Sequence, residues 1–179
     1  MGFRGGGNPN TLTLIPPDPR LLIPFTRSNV AGAKIPIASD HAGFELKQRL
    51  IPVLRSLGYE VEDLGTNTAT SSDYPDYAHP LAQRVSRGEA ERGILLCGTG
   101  LGMSYVANRY PNVRAPVVWS PEIAELSRKH NDANVLVLPA RFLTEDQAVE
   151  IVKRFLDTSF EGGRHARRVD KIEVRGEAR

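Results

Sequence analysis

The sequence lacks the features that mark several protein classes. It has one cysteine, Cys97, in 179 residues, so no disulfide can close within the chain and a reducing compartment, the cytoplasm, is the expected home. It has no excess of either charge: 23 Lys and Arg face 21 Asp and Glu, a net of +2. Even that excess lies near the start, where Arg4, Arg20 and Arg27 face Asp18 alone. No basic field therefore calls for nucleic acid. No apolar run approaches the roughly 18 residues that a membrane span needs. There is no internal repeat, no low-complexity tract and no metal-ligand spacing, so neither a metal nor a cofactor is expected. What the chain does have is 40% hydrophobic residues, enough for one well-buried domain and too short a chain for two substantial ones.

Residues 1–33 stand apart. They are poor in acid and carry arginines, as an organelle presequence does. Pro9, Pro16, Pro17, Pro19 and Pro24 would break the amphipathic helix of such a segment, so a flexible extension is expected instead. The domain proper is expected over 34–175, with a tail at 176–179.

From Lys34 onward, short β-rich runs alternate with longer helical ones. KIPIAS, YEVEDLG, RGILLCG, VRAPVVW and NVLVLP read as five strands. Helices are expected over about 43–57, 77–86, the stretch opening in the glycines after Cys97, 121–128 and 145–155, with a basic, helical C-terminal segment from Gly163. Such alternation implies a single three-layer α/β/α domain: a five-stranded parallel, Rossmann-like sheet wound right-handed and closed by a C-terminal helix. Pro36 and Pro116 remove ladder donors inside two of these strands, and Pro52 should kink the first helix.

Ligands in such folds bind beyond the carboxyl ends of the strands. Those ends carry Asp40 and His41 after the first strand, Cys97-Gly98-Thr99-Gly100-Leu101-Gly102 after the third, and Arg141 after the fifth. Glycines at alternate positions let backbone N–H groups converge into an anion-binding nest, and the following helix points its positive end at the same place. A thiolate at that mouth suits base chemistry. The residues alone leave two other readings open, a buried inert thiol beside a tight turn and a dinucleotide loop. The dinucleotide loop fits poorly, because the spacing is G-x-G-x-G and no acid ends the fourth strand. His130-Asn131 ends a helix, where a plain C-terminal cap would also account for it. Arg164 and Arg168, four apart, would share a helical face and suit a phosphate dianion, or form a solvated basic tail.

With these residues in view the chain resembles the type B ribose-5-phosphate isomerases, a family that includes galactose-6-phosphate isomerase subunits. The likeness rests on SDHAGFELK, DYPDYA, GILLCGTGLGMSYVANR, LSRKHNDANVL and FEGGRHARRV in order, spanning about 34–172. It implies an aldose–ketose isomerase that needs no metal and passes through an enediolate. It also implies roles. Cys97 would be the base between C1 and C2, with Thr99 beside the proton and the amides from Gly98 to Gly102 holding the enediolate. His130 would open the sugar ring, Asn131 would contact the sugar, and Asp40, His41, Arg141, Arg164 and Arg168 would hold substrate and phosphate. Other sugar phosphates (galactose 6-phosphate, allose 6-phosphate, erythrulose 4-phosphate) and a non-catalytic sugar-phosphate sensor are the competing functions. Because Cys97 ends a strand while His130, Arg164 and Arg168 follow returning helices, one chain should not gather both sets. A homodimer with composite sites is expected, with a dimer of dimers as a further option.

Overall fold

The computed structural model describes residues 32–173. The expected flexible extension therefore lies outside the described residues except for its last two positions, as does the tail at 176–179. In chain order the elements are β1 (Lys34–Ser39), α1 (Phe44–Ser56), β2 (Glu60–Asp63), α2 (Tyr74–Ser86), β3 (Gly93–Cys97) and α3 (Leu101–Ala107). There follow α4 (Pro121–Asn131), β4 (Val135–Pro139), a short 3-10 turn (Ala140–Phe142), α5 (Glu145–Asp157) and α6 (Arg164–Val169). The strands pair in the order β2-β1-β3-β4, all parallel. The expected α/β class with helices on both faces is borne out.

All five residues of β3 and of β4 are buried, as continuous apolar runs in a sheet covered on both faces should be. The period of two then divides them. Ile94 and Leu96 pack with Ile35, Ile37, Leu50, Leu54, Ile151 and Phe155 on the α1/α5 side. Leu95 and Cys97 pack with Leu81, Val85, Met103 and Val137 on the α2/α3 side. Each fully buried aliphatic of this kind contributes about 1.5–3 kcal/mol relative to exposure. The charged strand β2 takes the edge, where its side chains reach water.

One expectation is corrected: the sheet has four strands, not five. VRAPVVW makes only an isolated parallel bridge, Val117 to Val137. Its hydrogen bonds show why. Val135 N–H donates to Arg114 O (3.2 Å), Val137 N–H to Pro116 O (3.1 Å) and Val118 N–H to Val137 O (2.9 Å). The ladder's remaining donor would be the N–H that Pro116 does not have. On the outer side the Asn108 amide takes both backbone groups of Ala115, accepting its N–H (2.9 Å) and donating to its carbonyl (3.0 Å). This closes the edge against further pairing. Pro36 interferes less. Its neighbours Ile37 and Ser39 bond toward β2 while Asp40 bonds Leu96, so the missing donor of Pro36 faces β3, whose pairing with β1 starts only at Ile37. The helix α1 runs through Pro52, which is exposed, so the freed carbonyl can take water.

Two local features carry the site. The chain leaves α4 through Asp132 in the left-handed region (φ 46°), and Arg128 (2.8 Å) and Arg114 (3.1 Å) hold its carboxylate. Beneath, the buried Arg92 donates to Leu156 O (2.7 Å) and Arg128 to Thr158 O (3.2 Å), closing the end of α5. Burial, and Arg128 beside it, push the Arg92 pKa down to about 10, so it remains a cation at neutral pH.

Candidate active site

The carboxyl ends of β1, β3 and β4 lie side by side and bring the first set of expected residues together. Asp40 is buried, and its Oδ1 accepts from Ala42 N–H (2.9 Å) and Gly43 N–H (3.1 Å), which turns the chain sharply into α1. His41, next to it, is held from across the loop. Its N–H donates to Ser72 Oγ (3.2 Å), and Ser72 N–H donates to its Nδ1 (3.2 Å). Nδ1 also lies 3.3 Å from Ser72 O, so the Ser72 backbone fixes the ring in either tautomer.

Cys97 is 5% exposed and ends β3. Beyond it the chain is tightly folded back: Gly98 and Gly100 are buried, Thr99 is exposed, and Thr99 Oγ1 accepts from Leu101 N–H at 3.4 Å. Gly100 adopts φ +77°, and a Cβ there would lie 2.9 Å from Val117. Glycine is required at that position on both counts. Arg141 joins the same cluster. Its N–H donates to Gly98 O (3.1 Å), and its side chain crosses the face of Gly98, where a Cβ would come within 3.3 Å of Nε. A guanidinium thus lies over the glycine loop. Tyr74 closes the other flank, its ring packed on Gly102 so closely that a Cβ would meet it at 2.8 Å.

The second set gathers elsewhere. His130, Asn131, His165, Arg168, Val169 and Ile172 line a cavity of about 360 Å³. Arg164, one helical turn before Arg168 on α6, directs its Nε toward His165 Nε2 (3.4 Å) instead of into that cavity. The rings of His130 and His165 stack with centroids 4.3 Å apart and planes within 5°. Glu161 Oε2 lies 3.9 Å from His130 Nε2 and 3.8 Å from His165 Nε2. These three residues place their ligand atoms within 4.8 Å of one another. A metal bound to two imidazoles lies close to both ring planes, and two parallel planes share no point, so chelation would require one ring to turn. A larger cavity of about 510 Å³ between α4 and α5 is lined by charges that already pair with each other, Lys129 with Glu125 (2.6 Å) and Arg154 with Glu125 (3.0 Å).

The two clusters sit at opposite edges of the sheet. Gly93 N–H, at the start of β3, donates to Asn134 O just after α4, so His130 and Asn131 lie near the amino edge. Cys97 is four residues farther along β3, about 13 Å at 3.3 Å per residue. Four residues of these clusters carried no role in the sequence reading: Ser72, Tyr74, Glu161 and His165. Each acts on a neighbour supplied by the fold, and only the presence of Tyr74 in DYPDYA and of Glu161 and His165 in FEGGRHARRV could have pointed to them.

Comparison with known proteins matches residues 35–172 to the family model described as Ribose/Galactose Isomerase. The chain belongs to the ribose/galactose isomerase family. The ribose-5-phosphate isomerase B of Escherichia coli K12 is 45% identical over 139 residues, which cover 78% of this chain and 93% of that protein. Among solved structures, a ribose 5-phosphate isomerase from Thermotoga maritima is 54% identical with a TM-score of 0.76, covering 78% of this chain and 97% of its own. The ribose-5-phosphate isomerase B of Mycoplasma genitalium, solved with bound ribulose-5-phosphate, is 44% identical with a TM-score of 0.76 and covers 79% and 95%. The resemblance read from the motifs is borne out, and the chain is a sugar-phosphate isomerase. Among the described residues no helix is long and apolar enough to cross a membrane.

Proposed function

We propose that this isomerase interconverts ribose 5-phosphate and ribulose 5-phosphate through an enediolate, with Cys97 as base. The observation that carries the reading is the carboxyl edge of the sheet, where Cys97 leads directly into a glycine loop crossed by the Arg141 guanidinium and flanked by Asp40 and His41. Cys97 thiolate takes the proton from C2 of the open-chain aldose and returns it to C1. Loop amides from Gly98 to Gly102, with Thr99 at their exposed tip, bind the enediolate more tightly than the neutral carbonyl, each donor contributing about 3 kcal/mol in a dry site. His41 and Arg141 hold the anionic end of the substrate.

Ring opening needs a further acid–base group, since His41 is assigned to the anionic end and Cys97 to the carbon-bound proton. His130 supplies it, with Asn131 on the sugar and Arg164 and Arg168 on the phosphate, from a second copy of the chain in a symmetric homodimer. The exposed apolar side chains suit such a partner: Leu101 and Phe142 rim the Cys97 edge, and Ile172 rims the His130 cavity. Domain boundaries at 34–175 and a cytoplasmic location, where the lone thiol stays reduced, complete the reading.

Subunit mixing tests it. Cys97→Ala and His130→Ala homodimers should each bind ribose 5-phosphate and fail to turn it over. Unfolded together and refolded at equal amounts, half the dimers are mixed and each contains one intact site, so about a quarter of parental activity returns. If mixing restores nothing while both variants refold as dimers, the composite site is wrong. Full activity in the Cys97→Ala homodimer would remove the base.

A further inference from the structure

His165 has no part in the chemistry so far, yet it is the most enclosed member of the second cluster: its side chain is 8% exposed, against 39% for that of His130. We propose that His165 is the positioning residue for the acid–base step at His130, fixing by its parallel stack the plane in which the His130 imidazole meets the sugar. This rests on the reading that His130 opens the ring.

His130 lies in the last turn of α4, and the terminal torsion of a histidine is broad, so an unsupported ring there would swing through a wide range of planes. Proton transfer needs its nitrogen within about 2.6–3.2 Å of the ring oxygen or hydroxyl, in line with it. A face-to-face partner at 4.3 Å and 5° removes the swing without touching the nitrogens. The partner must itself be held, and it is. Arg164 Nε–H donates to His165 Nε2 (3.4 Å), and the ring is buried.

It must also stay uncharged while His130 gains and loses its proton, since two imidazoliums in contact repel. The donated Arg164 hydrogen requires an unprotonated Nε2 on His165. The groups around the ring agree. Burial first, then His130 on α4 and Arg164 and Arg168 on α6, lower the proton affinity of His165; Glu161, which lies 4.0 Å from Lys129, is the opposing charge. A neutral ring under His130 accepts the transient imidazolium on its π face.

The assay isolates ring opening. In a Cys97→Ala background, where isomerisation is blocked, ribose 5-phosphate labelled with 13C at C1 is followed by magnetisation-exchange NMR. Every opening on the protein then appears as exchange between α and β anomers. The Cys97→Ala protein should accelerate exchange over the rate in solution, and adding His130→Asn should abolish the acceleration. Adding His165→Leu should reduce it about tenfold at unchanged sugar affinity, and His165→Phe, which keeps a flat ring without nitrogens, should recover most of it. Exchange in the Leu variant as fast as in its parent, or a fall that only tracks lost binding, overturns the proposal. So does a Phe variant as slow as the Leu one. If Cys97→Ala itself gives no acceleration, or His130→Asn keeps it, the His130 reading fails and this inference falls with it. Should either apolar variant not fold, His165→Asn replaces His165→Leu and His165→Tyr replaces His165→Phe.

Discussion

Gly43→Ala should unsettle the site through packing alone. Gly43 has ordinary backbone angles, φ −97° and ψ −4°, so no conformational demand explains a glycine there. Its environment does. A Cβ would stand 2.7 Å from Leu96 Cβ and 2.9 Å from Leu96 C and O. Carbon contacts are comfortable at about 3.5–4.0 Å, so a gap of about 0.8 Å must open. Strand β3 is pinned on both sides by β1 and β4, and the turn into α1 is therefore what moves. That turn is made by Asp40, whose N–H donates to Leu96 O (3.2 Å) and whose carboxylate accepts from Gly43 N–H (3.1 Å). Overpacking costs about 1–3 kcal/mol and one weakened hydrogen bond about 1, giving about 2–4 kcal/mol together. For a domain of this size that is a fall in Tm of about 6–14 °C. Because Asp40 and His41 move with the turn, isomerase kcat/KM should fall further than stability alone explains. Calorimetry and initial rates measure both. Gly88→Ala is the control: its φ of +73° imposes strain, but nothing lies within 4 Å, and it should cost only about 1 kcal/mol. A Gly43→Ala protein that melts no lower than Gly88→Ala would show that α1 is not wedged against β3.

Two further outcomes concern charges inside the fold. Lys47 is fully buried and bonded to Asp63, which is 28% exposed and also accepts from Gly65 N–H (3.0 Å). Asp63→Ala strands a buried ammonium and should cost about 3–5 kcal/mol in urea unfolding, whereas Lys47→Met leaves only a carboxylate near water and should cost about 1; the reverse order would contradict the assignment. The burial that lowers the proton affinity of His165 below its ordinary 6.5 sets a pH dependence. The unfolded chain takes up that proton first as pH falls, so the stability present above about pH 6.5 drains away toward the lowered folded value. His165→Phe should flatten this part of the stability–pH curve, and an unchanged slope would place the titrating group elsewhere.

The parts of the fold legible in the sequence are those fixed by short-range pattern. KIPIAS, GILLC and VLVLP are buried apolar runs and form strands, and counting strand ends places Asp40, His41, Cys97 and Arg141 at the carboxyl edge. VRAPVVW has the apolar pattern of a real strand, and only the ladder position left unpaired at Pro116 reduces it to a bridge. The start of α2 was placed at Tyr77, three residues late. Pro75 occupies the first turn, where a missing N–H costs nothing, so the helix begins at Tyr74. Ser72 holding His41 across 31 positions, and His165 stacked on His130, depend on the tertiary fold and leave no trace in local spacing.

The separation of the two clusters follows from the βαβ connection. In such a unit the helix runs antiparallel to its strands, so each strand delivers its loop to the carboxyl edge and each returning helix delivers its end to the amino edge. Cys97 follows the first rule and His130 the second, and the tie between Gly93 and Asn134 anchors the end of α4 where β3 begins. No side-chain rotation spans about 13 Å of strand, so the proposed base and acid would have to meet across an interface. In the proposed homodimer a two-fold axis would give two equivalent sites from one contact, each with an anion nest from one copy and a stacked histidine pair from the other. Under that geometry, weakening the interface would abolish turnover while both half-sites remained folded, and activity would track dimer concentration instead of chain concentration.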